Sequence, residues 1–144
     1  METGFALLNL ATLPWWVSML LFPRSRATVR LVMSPWPFIA LAGVYALLLV
    51  SGLVTSPPSS ASLDASTLAS LLSSPLGFLT AWAHMLTLDL FAGCWVFRDA
   101  RYYGRVPRVE LLLTWWAGPA GLGLYLWRRR AWLGPDAARA RSVN

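Results

Sequence analysis

A histidine and an aspartate five residues apart, His84 and Asp89, stand inside the otherwise apolar run Trp82-Ala83-His84-Met85-Leu86-Thr87-Leu88-Asp89-Leu90-Phe91-Ala92-Gly93-Cys94-Trp95. Hydrocarbon penalises an Asp at a helix centre by roughly 2.5–3.5 kcal/mol on insertion scales, so a span that keeps two ionisable groups has a use for them. A carboxyl and an imidazole in a dry site can give and take protons near neutral pH, which is the equipment of general acid–base catalysis. Asp89 and His84 are therefore the candidate catalytic pair. Helix geometry limits how they act together: five residues advance about 500°, which turns the two side chains roughly 140° apart and disfavours a directly bonded dyad. His84 shares its face with Leu88, Phe91, Trp95 and Arg98, and Asp89 shares another with Trp82, Gly93 and Val96. Two polar faces on one helix predict a central helix with different partners on each side. Asn9 and Thr12 of the first apolar run are the expected partners of one face.

Each residue also has a purely structural use. Asp89, His84 and above all Asn9 can hydrogen-bond across helices and hold them together. Arg98 and Asp99 read as an interfacial ion pair, Glu110 as a carboxylate favoured by a helix N-terminus, and Cys94 as a small packing residue. Trp82 and the pairs Trp15-Trp16 and Trp115-Trp116 suit the walls of a groove for a flat ligand, while filling space beside Pro14 and Pro119 is the commoner use of the two pairs. A single cysteine excludes an internal disulfide and a zinc cluster. With no flavin or nicotinamide fingerprint either, the expected chemistry uses no cofactor and no metal.

These residues must be positioned by membrane helices. The chain has 144 residues, 57% hydrophobic, and only 12% charged. Soluble domains carry about 25%. The deficit falls in four runs, 3–22, 36–55, 76–97 and 109–127, each near the ~20 residues that cross about 30 Å of hydrocarbon. Strands of a barrel would be shorter and alternate strictly. The expectation is an all-α, four-transmembrane-helix bundle formed by a single domain over 1–130. Kinks are expected at Pro14 and Pro119, and a basic, mobile tail over 131–144. Between the second and third runs, Asp64 suits the N-cap of a short interfacial helix.

All 12 basic residues are arginines and the net charge is +6. They flank the apolar runs, where they meet headgroup phosphates, so membrane lipid rather than nucleic acid is the expected partner. Connections 23–35 and 98–108 hold seven of them, and the N-terminus and connection 56–75 hold none, which sets the orientation of the bundle. The tail conflicts with this. After four crossings it belongs on the side poor in arginine, yet it carries Arg128, Arg129, Arg130, Arg139 and Arg141. Either the tail lies there against the rule, or the fourth run, weakened by Gly118-Pro119, does not fully cross, and four spans are the preferred expectation. Residues 1–4 hold no Arg or Lys and the first run ends in arginines, so that run is expected to stay as a membrane helix.

Three blocks carry a family resemblance. Phe5-Ala-Leu-Leu-Asn9-Leu-Ala-Thr12-Leu-Pro14-Trp15-Trp16 followed by Phe22-Pro23-Arg24 resembles the opening of the abscisic-acid-deficiency-4-like (neoxanthin synthase) family. Trp82-x-His84-x-x-x-x-Asp89-Leu90-Phe91-x-Gly93-x-Trp95 with Asp99-Ala100 is similar to its central block, and Gly118-Pro119-x-Gly121-Leu-x-Leu-Tyr125-Leu126 to its closing block. The resemblance covers about residues 5–126. It implies a small integral membrane protein of carotenoid metabolism, in plants associated with converting the epoxide violaxanthin into the allenic neoxanthin, and it carries over no catalytic residue. The function expected is an isomerase of a carotenoid epoxide or related isoprenoid, with Asn9, Thr12 and the five tryptophans named above at the substrate. Two alternatives stand beside it: a non-enzymatic protein that binds lipid or pigment or stabilises a complex, and, less favoured, a small transporter. A bacterial inner membrane is the expected location, or a plastid membrane in a eukaryote. A homo-oligomer or a membrane enzyme complex is the expected assembly.

Overall fold

A computed structural model of the chain describes residues 1–55 and 64–141, with side chains up to residue 132. The described residues are all-α: α1 Glu2–Leu21, α2 Arg26–Met33, α3 Trp36–Thr55, α4 Ala65–Ser73, α5 Pro75–Tyr102, α6 Arg108–Ala117 and α7 Pro119–Arg141. Helices α1, α3 and α5 are long and apolar enough to cross a membrane. On α3, Leu47, Val50 and Val54 lie exposed, a surface that suits hydrocarbon and not water. The 28 residues of α5 extend about 42 Å at the usual helical rise, so its arginine-bearing end reaches beyond the apolar layer. Helix α1 continues through Pro14. The capped helix expected at Asp64 is α4: the Asp64 carboxylate accepts from the backbone N–H of Thr67 at 2.8 Å. Residues 56–63 of the preceding connection lie outside the described residues.

Packing divides the chain into two compact units, Met1–Pro14 with Ser34–Leu88, and Trp15–Met33 with Asp89–Asn144. The first is held by Leu8, Ala83 and Leu86, with Tyr45, Leu48, Leu79 and Trp82 packed against them. Phe5 covers Trp82 at a ring separation of 4.9 Å. The second contains every arginine of the chain. Its buried side chains include Trp16, Met19, Leu90, Val96, Leu111 and Tyr125. Trp15 Nε1 donates to the Leu31 carbonyl at 3.1 Å, and the Thr28 hydroxyl donates to the Phe22 carbonyl at 2.7 Å, which pins α2 beneath the end of α1.

The fourth run is where the fold departs from the expected four crossings. It is not one helix with a kink but two, α6 and α7, folded back on each other at Gly118-Pro119. Glu110 Oε1 accepts from Arg128 Nη1 at 2.6 Å. Along one continuous helix those residues would stand about 27 Å apart. The hairpin closes because Gly121 has no side chain: a Cβ there would overlap the backbone nitrogen and hydroxyl of Thr114 and lie 2.6 Å from the Glu110 carbonyl oxygen. Proline supplies no N–H to continue α6, starts α7 at a position where none is needed, and leaves Gly118 to turn the chain with φ +42°. Ten residues of α6 advance about 15 Å, half of a bilayer's apolar thickness, so α6 alone is too short to cross. The backbone of α7 stays helical to Arg141.

Candidate functional sites

The first unit holds an apolar cleft of about 570 Å³ between α3, α4 and the first turns of α5. That volume lies within the ~300–1,000 Å³ usual for small-molecule sites. Leu49, Leu53, Leu68 and Leu72 give it hydrocarbon walls, and its polar side chains are Tyr45, Ser74, Thr80 and His84. Two of these are already engaged by their own backbone: the Ser74 hydroxyl donates to the Leu71 carbonyl and the Thr80 hydroxyl to the Leu76 carbonyl, each at 2.7 Å. Tyr45 and His84 lie ring against ring, 5.6 Å between centroids, and neither forms a hydrogen bond among the described residues. The cleft thus offers one imidazole and one phenol to whatever fills it. His84 is exposed rather than packed into a core.

Asp89 sits in different surroundings. It belongs to the second unit, where its carboxylate abuts Gly118 at the tip of the α6–α7 hairpin. A Cβ on Gly118 would overlap Oδ1 and lie 3.3 Å from Oδ2. Trp16, also of this unit, is 1% exposed, stacks on Trp115 at 6.1 Å and lies directly over Gly93. A Cβ on Gly93 would stand 2.5 Å from Trp16 Cη2 and 2.7 Å from Cζ3, and a buried ring cannot move aside. Gly93→Ala is therefore expected to lower stability by about 1–3 kcal/mol, read as a fall in the melting temperature of the detergent-solubilised protein. Gly93→Ser should cost at least as much.

The remaining residues singled out in the sequence do not converge on the cleft. Asn9 Nδ2 donates to the Phe5 carbonyl at 2.7 Å and the Thr12 hydroxyl to the Asn9 carbonyl at 3.1 Å, so both are satisfied within α1. Trp15 serves the α1–α2 junction, and Trp82 stacks with Phe78 while its buried Nε1 finds no partner among the described residues. Trp116 is 90% exposed. Of the nominated residues, His84 is the one on the cleft wall.

The arginine-rich end of the second unit holds a network that the sequence does not announce. Asp99 accepts from Arg129 Nε at 2.6 Å and from Nη2 at 3.0 Å, and the Tyr125 hydroxyl donates to the same carboxylate. The hydrogen bond and charge of Asp99, together with the nearby Tyr103, hold the Arg129 guanidinium above its ordinary pKa. Asp99 thus pairs across 30 residues and not with its neighbour Arg98. Glu110 does lie in the first turn of α6, as expected, but it is buried and answers Arg128. Both pairings depend on the hairpin, which brings α7 back beside residues it would otherwise leave.

The family model described as ABA DEFICIENT 4-like aligns with residues 3–125. No curated protein and no solved structure matches the chain.

Proposed function

Because the chain belongs to the ABA DEFICIENT 4-like family, we propose that it is an integral membrane protein that takes a carotenoid or related isoprenoid into the α3–α4–α5 cleft and isomerises an epoxide of that ligand without a cofactor. The observation that carries the reading is the cleft itself, an apolar volume of about 570 Å³ with a single imidazole on its wall. Opening an epoxide to an allenic alcohol is redox-neutral. A proton is added to the epoxide oxygen as its C–O bond breaks, and a proton leaves the adjacent carbon of the polyene chain. A protonated imidazole can make the first transfer and, once neutral, accept the second, which returns His84 to its starting state. Tyr45, beside it, is placed to orient the ring or the ligand's oxygen. Asp89, proposed from the sequence as a second proton-transfer group, is assigned here to the hairpin tip, where it positions Gly118.

Expression of the chain in a host that accumulates an epoxide carotenoid tests this. His84→Ala is expected to reduce conversion by about 10²-fold or more, the usual share of a positioned acid–base group, with membrane accumulation unchanged because His84 is exposed. Parental conversion in His84→Ala would remove the acid–base role. A second reading, a pigment- or lipid-binding protein with no turnover, is favoured by the absence of any Asp or Glu on the cleft wall. A retained visible spectrum after purification, with no change in the bound pigment, would select it.

A further inference from the structure

Where the second unit carries its arginines, Arg24 from the α1–α2 connection and Arg101 and Arg105 from the end of α5 share a recess of about 280 Å³ with Pro23, Phe97 and Val106. An adjoining cleft of about 410 Å³ shares Pro23, Arg24 and Val106 with it and adds Arg108. Among the described residues, no carboxylate lines either one. The two acids of this region are already taken, Asp99 by Arg129 and Glu110 by Arg128. Three of these four arginines are nevertheless held in place. Arg101 Nη1 donates to the Pro23 carbonyl at 3.4 Å and Arg108 Nε to the Leu20 carbonyl at 3.1 Å, so both rest on the carbonyl end of α1. The Arg105 guanidinium lies 5.7 Å from the centre of the Trp132 ring. Each of these anchors uses one face or one N–H of its guanidinium and leaves the others available.

We propose that this recess binds the phosphate headgroup of an anionic lipid. Three guanidiniums, two of them anchored, with no counter-carboxylate ask for an anion, and the guanidinium fork matches phosphate oxygens in pairs. The recess lies at the end of a span, at the depth of the headgroups, and Phe97 and Val106 on its wall give the first methylenes of a chain an apolar contact. Because Arg24 belongs to one connection and Arg101 and Arg105 to another, a bound phosphate ties the two together. This site is independent of the cleft at His84 and of what that cleft does.

Native mass spectrometry of the full chain, released from mixed micelles of phosphatidylcholine and phosphatidylglycerol, reads the proposal. The parent is expected to keep phosphatidylglycerol in preference to phosphatidylcholine. Arg24→Gln, in an exposed connection where it cannot disturb a core, and the Arg101→Gln, Arg105→Gln pair should each weaken retention, roughly fivefold for every arginine removed. Arg130→Gln, the same charge change outside the recess, should behave as the parent. Equal losses in Arg130→Gln and Arg24→Gln would reduce the effect to net charge and overturn the site, as would a parent that keeps neither lipid. Inorganic phosphate at millimolar concentration separates the two sources of the chemistry: displacement of the lipid marks a free-phosphate site, and undisturbed retention marks a headgroup site.

Discussion

Gly118→Ala is expected to abolish most of the folded protein recovered from membranes, although it adds one methyl group. Two separate penalties meet at this position. The backbone has φ +42° and ψ −101°, a conformation that residues with a side chain occupy at a cost of about 1–3 kcal/mol. The new Cβ would also overlap Asp89 Oδ1, so the carboxylate must turn away from the hairpin tip. Because a carboxylate at the end of a side chain can rotate aside, this second penalty is the smaller of the two. The sum is a large share of the ~5–15 kcal/mol that stabilises a domain. Size-exclusion recovery and melting temperature in detergent are the measurements. The double variant Gly118→Ala, Asp89→Ala separates the penalties: it should recover the steric part and keep the backbone part. A double variant no more stable than Gly118→Ala alone would show that the contact with Asp89 does not limit the turn.

Asp89 reads as a proton-transfer group from the sequence and lies against the hairpin tip in the fold. An ionisable residue in a span reads as functional by default, and Asp89 drew that reading from its cost alone. What it meets is a glycine 29 residues away, and the meeting requires the fourth run to reverse. Local pattern cannot supply that reversal: 109–127 has the length and composition of a span, and Pro119 reads as a kink in either case. By contrast, α1, α3 and α5 follow from apolar length, and α4 from Asp64 and its partner at Thr67. Those features are contained within one helix or one turn. The site residues divide in the same way. His84 was visible as a polar group in an apolar helix, whereas Tyr45, Arg129 and Tyr125 become partners only when helices distant in sequence are packed. One signal is present in the sequence, the arginines of the tail, which conflict with a fourth crossing.

That contradiction leads to the second large effect. With α1, α3 and α5 as crossings and α6–α7 as a hairpin that enters and returns, the tail emerges on the side it started from, with connections 23–35 and 98–108. All 12 arginines then lie on one side of the membrane, the distribution that the Lys/Arg bias selects. With a fourth crossing, five of them would face the other way. A reporter active on one side only, fused after Asn144 or inserted at Gly104 in the α5–α6 connection, should give the same reading in both positions, and a fusion before Met1 the opposite one. The difference between the two topologies is all or none, since a tail on the far side of the bilayer gives no signal. Opposite readings at Gly104 and Asn144 would mean that α6 and α7 together cross. Matching readings carry a further consequence. Asp99–Arg129 and Glu110–Arg128 would then be pairs formed at one surface as the hairpin returns, so that Arg129→Gln and Arg128→Gln should loosen the tail without changing which side it occupies.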